Sequence, residues 1–255
     1  MLQVLSAQPL QQVFCLHCAA NKILKATKLE KTVLNLRSFY VKYKFFCYYI
    51  NKKKGVFMKK LAILGSAKSC VLEAILKYFE GKDIEITCLS DDEHSEFYQK
   101  AKEICKNTKL LPHEMNFEYF SSHDFDLVAL CDYRQYVQSE TLDCCKFISI
   151  HGSLLPSFKG PDAINRAFTS GVKVSGVTVH WVNEDVDSGT IIAQYPVLIE
   201  NLMHFDEYEE NIYKLEELLY PIVIDKILKD EVFDFQDLLN HGNCSRSCGN
   251  CEGCH

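Results

Sequence analysis

Leu61-Ala62-Ile63-Leu64, entered through Met58-Lys59-Lys60 and followed by Gly65, is the stretch on which the fold turns. An unbroken short apolar run of this kind reads as a strand buried on both faces, as the strands of a parallel sheet are. The segments after it alternate as βαβ units require. Val71, Leu72, Ile75, Leu76 and Phe79 recur at helical spacing over 70–79, and Gly81 stands where a helix ends in a left-handed residue. A strand follows at 84–89, then a helix over 95–106, a strand at 126–131, a helix near 139–144 and a strand at 147–150. The expected fold class is α/β: a Rossmann-like, mostly parallel sheet with flanking helices.

Beyond this core the rhythm changes. A helix over 161–170 ends at Gly171, and two long β-rich runs, 174–182 and 190–198, are separated by the acidic loop Asn183-Glu-Asp-Val-Asp-Ser-Gly189. The amphipathic stretch 206–229 closes the domain, and Pro221 within it is expected to kink a helix or divide it in two. Residues 58–233 thus form one domain. Residues 1–57, weakly periodic, read as a poorly structured leader or as translation from upstream of the biological start, and 234–255 as a cysteine-rich tail.

Composition bounds the function. With 255 residues, 47% of them hydrophobic and 24% charged, the chain has the makings of an ordinary globular core. A net charge of -6 gives a nucleic-acid partner no support, which leaves a small molecule as the expected substrate. The early run Phe45-Phe-Cys-Tyr-Tyr-Ile50 is flanked by lysines and far shorter than the ~20 apolar residues of a membrane span, so no membrane partner is expected. Thirteen cysteines scattered through apparent strands and helices, with no convincing signal peptide, point to a reducing, cytoplasmic setting.

Ligands of open α/β sheets bind beyond the carboxyl ends of the strands, and His151-Gly-Ser-Leu-Leu-Pro-Ser-Phe-Lys-Gly160 leaves a strand at that point. If the second β run folds back beside the sheet, Asp187 reaches His151 and favours its cationic form. Such a pair suits acyl transfer without a covalent nucleophile: the imidazolium donates to an oxyanion while the carboxylate helps move protons from an attacking amine to the leaving group. Taken singly, His151 would be a structural histidine and Asp187 a turn residue bonding its own backbone.

Ser149-Ile-His151-Gly-Ser-Leu-Leu-Pro156, then Gly176-Val-Thr-Val-His180 and Asp187-Ser-Gly189, resemble in order the motifs of the folate-dependent formyltransferases, over about residues 58–233. Within these, Leu155-Pro-Ser-Phe-Lys-Gly160, His180-Trp-Val and Ile191-Ile-Ala-Gln194 most resemble the enzymes that formylate phosphoribosylglycinamide. The resemblance implies 10-formyltetrahydrofolate as co-substrate and a primary amine, glycinamide ribonucleotide before others, as acceptor. It places the catalytic His on His151, the catalytic Asp on Asp187, and Ser149 where the family has Asn. It sets Arg134, Gln135, Tyr136 and Val137, with the backbone of Asn183, Glu184 and the rest of the acidic loop, around the folate. It puts Glu216 on the acceptor and the turn containing Ser66, Lys68 and Ser69 at its phosphate. Without the family, Glu216 would be a solvated helix-face charge, and Tyr136 and Val137 core.

Three departures bear on activity. Ser149 offers a shorter donor than Asn, the turn Gly65-Ser-Ala-Lys-Ser-Cys70 lacks the family's Gly-Ser-Asn, and Gln135 stands where the family has Arg. They keep open an amine on a sugar nucleotide or another amine acceptor, the aminoacyl group of a tRNA being least favoured by the net negative charge, and a weakly active or inactive folate- or metal-binding member of the family. Outside the resemblance, Cys244, Cys248, Cys251 and Cys254 are spaced closely enough for four thiolates to hold Zn²⁺ or an iron–sulfur cluster, whereas Cys15-Leu-His-Cys18 is a lone weak motif.

Overall fold

The computed structural model describes residues 58–68 and 70–235. Strand β1, Lys59–Gly65, is followed by helix α1, Leu72–Tyr78, strand β2, Ile84–Ser90, and helix α2, Glu96–Ile104. Next come strand β3, Thr108–Leu110, a 3₁₀ turn at His113–Met115, helix α3, Asn116–Ser122, and strand β4, Leu127–Cys131. Helix α4, Ser139–Leu142, strand β5, Phe147–His151, and helix α5, Ala163–Thr169, lead into strands β6, Val174–Trp181, and β7, Ile191–Leu198, and finally helix α6, Phe205–Leu228.

The seven strands form one sheet in the order β3-β2-β1-β4-β5-β6-β7. β1 to β5 run parallel, and β6 and β7 return antiparallel along the β5 edge. The expected α/β sheet is therefore present, one parallel strand larger than the four read from the sequence. The short β3, mostly exposed, and α3 carry too little apolar pattern to announce themselves.

β1 shows why a bare apolar run makes this fold. Leu61 and Ile63 point into one buried cluster and Ala62 and Leu64 into another, all four fully buried. Alternation thus splits a uniform run between two helical layers. The first cluster takes apolar residues from α1, α2, α5 and α6, and the second Phe120 of α3 and, at its edge, Leu142 of α4.

α6 is one continuous α-helix through Pro221, which rules out a division into two helices there, the second of the two expected alternatives. Burial explains the tolerance: Leu219 to Ile224 are all buried, so packing outweighs the one backbone hydrogen bond that proline cannot donate. Beside the proline, the fully buried Tyr220 hydroxyl lies 3.0 Å from the Leu130 carbonyl of β4 and 3.1 Å from that of Ile148 of β5. It ties the helix to the two strands that carry the site.

Strand order reverses between β1 and β4. Gly65 pairs with Cys131 at their carboxyl ends, so the segments that follow, Ser66–Lys68 and Asp132–Arg134, lie side by side at the switch point, where such sheets bind ligands.

Candidate active site

His151 is the last residue of β5, and alternation places it on the same side of the strand as Ser149. In register, Ser149 stands opposite His180 of β6 and His151 opposite Thr178. The loop joining β6 to β7 then folds back across the sheet end. Gly189 permits this, because a Cβ there would fall on the carbonyl oxygen of Trp181. Asp187 helps by adopting a left-handed backbone, φ 50°, which Asp tolerates better than most residues.

The Asp187 carboxylate is the centre of the arrangement. Its Oδ2 accepts from the Gly160 amide at 2.7 Å and lies 3.3 Å from His151 Nδ1, and its Oδ1 lies 3.5 Å from His180 Nε2. One side chain thereby joins the β5 strand end, the 152–160 loop and β6. Burial opposes ionisation of this carboxyl, but the bond with His180, the charge interaction with His151 and the Gly160 amide together outweigh it, holding Asp187 at about 2.

The approach of Asp187 to His151 is as the sequence suggested, but its expected consequence is not. Burial lowers the His151 pKa from its ordinary 6.5 more than Asp187 and the Phe158 carbonyl raise it, so the resting imidazole is biased toward neutrality. His151 Nε2 lies 3.0 Å from the Phe158 carbonyl, which Arg166 also holds at 2.8 Å. Both ring nitrogens therefore face acceptors, and only the protonated ring satisfies both. The contest between burial and these acceptors leaves a group that developing negative charge nearby can tip.

His180 was not singled out for a site. It is 3% exposed, and its Nδ1 donates to its neighbour's carbonyl, Trp181, at 2.9 Å, which aims Nε2 at Asp187. Its place two residues from Val182, on the strand that leads into the acidic loop, was the available signal.

A cleft of about 320 Å³ opens at the carboxyl ends of β1, β4 and β5, with His151 and Glu216 in its wall together with Lys68 and Asp132. Glu216 is no solvated helix-face charge. It is only partly exposed, and burial first and Asp132 second push its carboxyl up to about 8. Glu209, Tyr213 and Glu216 share one face of α6, a spacing of four and then three residues that was open to view in the sequence. Lys68 Nζ donates to the Tyr213 hydroxyl at 2.7 Å and lies 3.8 Å from Glu209, while Tyr213 donates to Glu209 at 2.7 Å.

Ser66 is buried, and its hydroxyl accepts from the Arg134 amide at 3.1 Å, joining the first turn to the segment after β4. Within that segment Val137 is buried in the second core cluster, whereas Arg134, Gln135 and Tyr136 are exposed, Tyr136 by 48%. Tyr136 is thus not core. Asn183 and Glu184 are also exposed, and Asn183 Oδ1 accepts from Ser188 at 3.0 Å, bracing the acidic loop. Ser149 is partly buried in mid-strand. None of these residues lines the 320 Å³ cleft; of the residues assigned to the acceptor, Lys68 and Glu216 line it, whereas Ser66 instead bonds the segment assigned to the folate. Ser69, Cys244, Cys248, Cys251 and Cys254 lie outside the described residues, among which no cluster of three or more metal-ligating side chains occurs.

A doubly wound sheet with a His–Asp pair at the end of β5 and a cleft at the switch point is the arrangement of an enzyme site. More particularly, residues 59–224 match the model of the formyl transferase family, and the chain belongs to that family. Phosphoribosylglycinamide formyltransferase of Bacillus subtilis is 32% identical over 186 residues, 67% of this chain and 95% of that one. Formyltetrahydrofolate deformylase 2 of Arabidopsis thaliana is 30% identical over 177 residues, 62% of this chain but 52% of that one. Among solved structures, phosphoribosylglycinamide formyltransferase of Campylobacter jejuni superposes with a TM-score of 0.60 at 33% identity, covering 66% of this chain and 97% of that one. Glycinamide ribonucleotide transformylase 1 of Symbiobacterium toebii gives 0.64 at 26%, covering 69% and 92%. The chain is a formyltransferase whose chemistry draws on formyl-folate.

Proposed function

We propose that this enzyme transfers the formyl group of 10-formyltetrahydrofolate to a primary amine. The observation that carries the reading is the Asp187 carboxylate, held on the Gly160 amide and within 3.3 Å of His151 at the edge of the cleft. In the reaction the amine nitrogen bonds to the formyl carbon, the bond from that carbon to folate N10 breaks, and one amine proton passes to N10. His151 stabilises the oxygen that gains charge. Its pKa, lowered at rest, rises as that charge forms, and Asp187 holds the ring and the proton in place. Ser149, on the same side of β5, supplies a weaker donor than an amide would.

For the folate, the exposed Tyr136, on the segment after β4, and the exposed Val186, on the acidic loop, offer apolar surface, with the exposed Arg134, Gln135, Asn183 and Glu184 on the same two segments and Val137 buried. Among amines, the names of the relatives point to a glycinamide acceptor, with Glu216 in the wall of the cleft that would receive it. A second reading, hydrolysis with water in place of the amine, is supported by the likeness to deformylases. For the tail, we propose metal ligation by Cys244, Cys248, Cys251 and Cys254. Metal content that is equal with and without residues 244–255 would remove that site.

The test of function is release of tetrahydrofolate from 10-formyltetrahydrofolate by the full chain, with and without a panel of amines, beside His151→Asn. Amine-dependent release, reduced ~100-fold or more in the variant, is expected. Release that ignores the amine would establish hydrolysis instead, and an unaffected His151→Asn would refute the assignment.

A further inference from the structure

At the switch point between β1 and β4, a parallel sheet offers backbone amides to an anion, and the turn after β1 is where a phosphate would be expected. In this chain one amide of that turn is already taken, among the described residues. The Lys68 amide donates to Asp132 Oδ2 at 3.0 Å, so a carboxylate of the protein sits where a phosphate oxygen would. Ser66 directs its hydroxyl to the Arg134 amide. The ammonium of Lys68, the turn's one side-chain cation among the described residues, is turned to Tyr213 and Glu209. Asp132 adopts a left-handed backbone, φ 48°, and its carboxylate nevertheless closes on the turn.

Charge points the same way. Asp132, Asp162, Glu209 and Glu216 line the cleft against a single lysine. A phosphate dianion entering there would displace Asp132 from the amide and then face the carboxylates of Asp132, of Glu209 on α6 and of Asp162, so repulsion adds to the lost hydrogen bond. Hydroxyl and ammonium groups would instead find acceptors. The crowding is already felt by Glu216, whose carboxyl is pushed up by burial and by Asp132.

We propose that the amine acceptor of this enzyme is unphosphorylated, and that Asp132, by occupying the Lys68 amide, is the residue that sets this specificity. The inference rests on amine formylation being the reaction. It separates this chain from the glycinamide ribonucleotide specificity that the names of its relatives suggest.

Matched acceptors test it. kcat/KM is measured on the full chain with glycinamide ribonucleotide against glycinamide riboside, and with glucosamine 6-phosphate against glucosamine. Wild type is expected to use the unphosphorylated member of a pair at least as well as the phosphorylated one. Asp132→Gly, which vacates the amide and relieves the backbone, should swing the ratio ~10-fold or more toward the phosphorylated member. Asp132→Asn removes the charge but can still accept from the amide, so it should swing the ratio less. Titration with inorganic phosphate supplies a readout that needs no turnover: binding should be undetectable at millimolar concentration in wild type and appear in Asp132→Gly. A wild-type preference of ~10-fold or more for phosphorylated acceptors, or phosphate binding by wild type, would overturn the specificity. Formyl-folate breakdown that ignores every amine would overturn the transfer reading instead, with the phosphate titration still deciding whether the turn is occluded.

Discussion

Replacing Asp187 by Asn removes a charge while keeping the shape of the side chain, and the structure sets the size of the effect. The carboxyl titrates at about 2 instead of its ordinary 3.8, although burial alone would raise it. That difference corresponds to about 2 kcal/mol of stability. The sign follows from the depressed value: the contribution is present in full above pH ~4 and is lost as pH falls through about 2, where the folded protein also takes up the proton. Urea unfolding of Asp187→Asn should therefore show a loss of about 2 kcal/mol at pH 7 that shrinks below pH ~4 toward pH ~2. The same substitution leaves His151 without the carboxylate 3.3 Å from Nδ1, so formyl transfer should fall ~100-fold or more at pH 7. A stability loss that is the same at pH 7 and pH 3, or activity within a factor of ~3 of wild type, would refute the placement of Asp187 at the centre of the site.

Three further outcomes follow from named contacts. Glu216, raised to about 8, binds a proton in the folded protein that it has given up in the unfolded chain, so wild-type stability should decline between pH ~4.5 and pH ~8; Glu216→Gln should flatten that decline in pH-dependent thermal melts. Tyr220→Phe removes a buried hydroxyl shared by two strand carbonyls and should cost about 1–2 kcal/mol in chemical denaturation while leaving KM for folate unchanged. Ser149→Asn, which restores an amide donor on the same side of β5 as His151, should raise kcat; a lower kcat with intact folding would show that mid-strand packing opposite His180 leaves no room for the longer side chain.

The core strands and most helices of this protein were legible because their signals are local. The run Leu61–Leu64 and the helical recurrence from Val71 to Phe79 each depend on neighbours within a turn or two. So did the motifs around His151 and Asp187. The charge state of His151, the burial of Glu216, the part of His180 and the closure of Asp132 on Lys68 depend on residues brought together across 64 positions or on the exclusion of water by the whole sheet. Sequence determined that this chain builds an α/β sheet with a His and an Asp at its edge, because hydrophobic period and turn chemistry are written residue by residue. Tertiary structure alone decided which carboxylates share a cleft and which amide one of them fills, because electrostatic energy depends on distance and burial, and neither exists until the chain has folded.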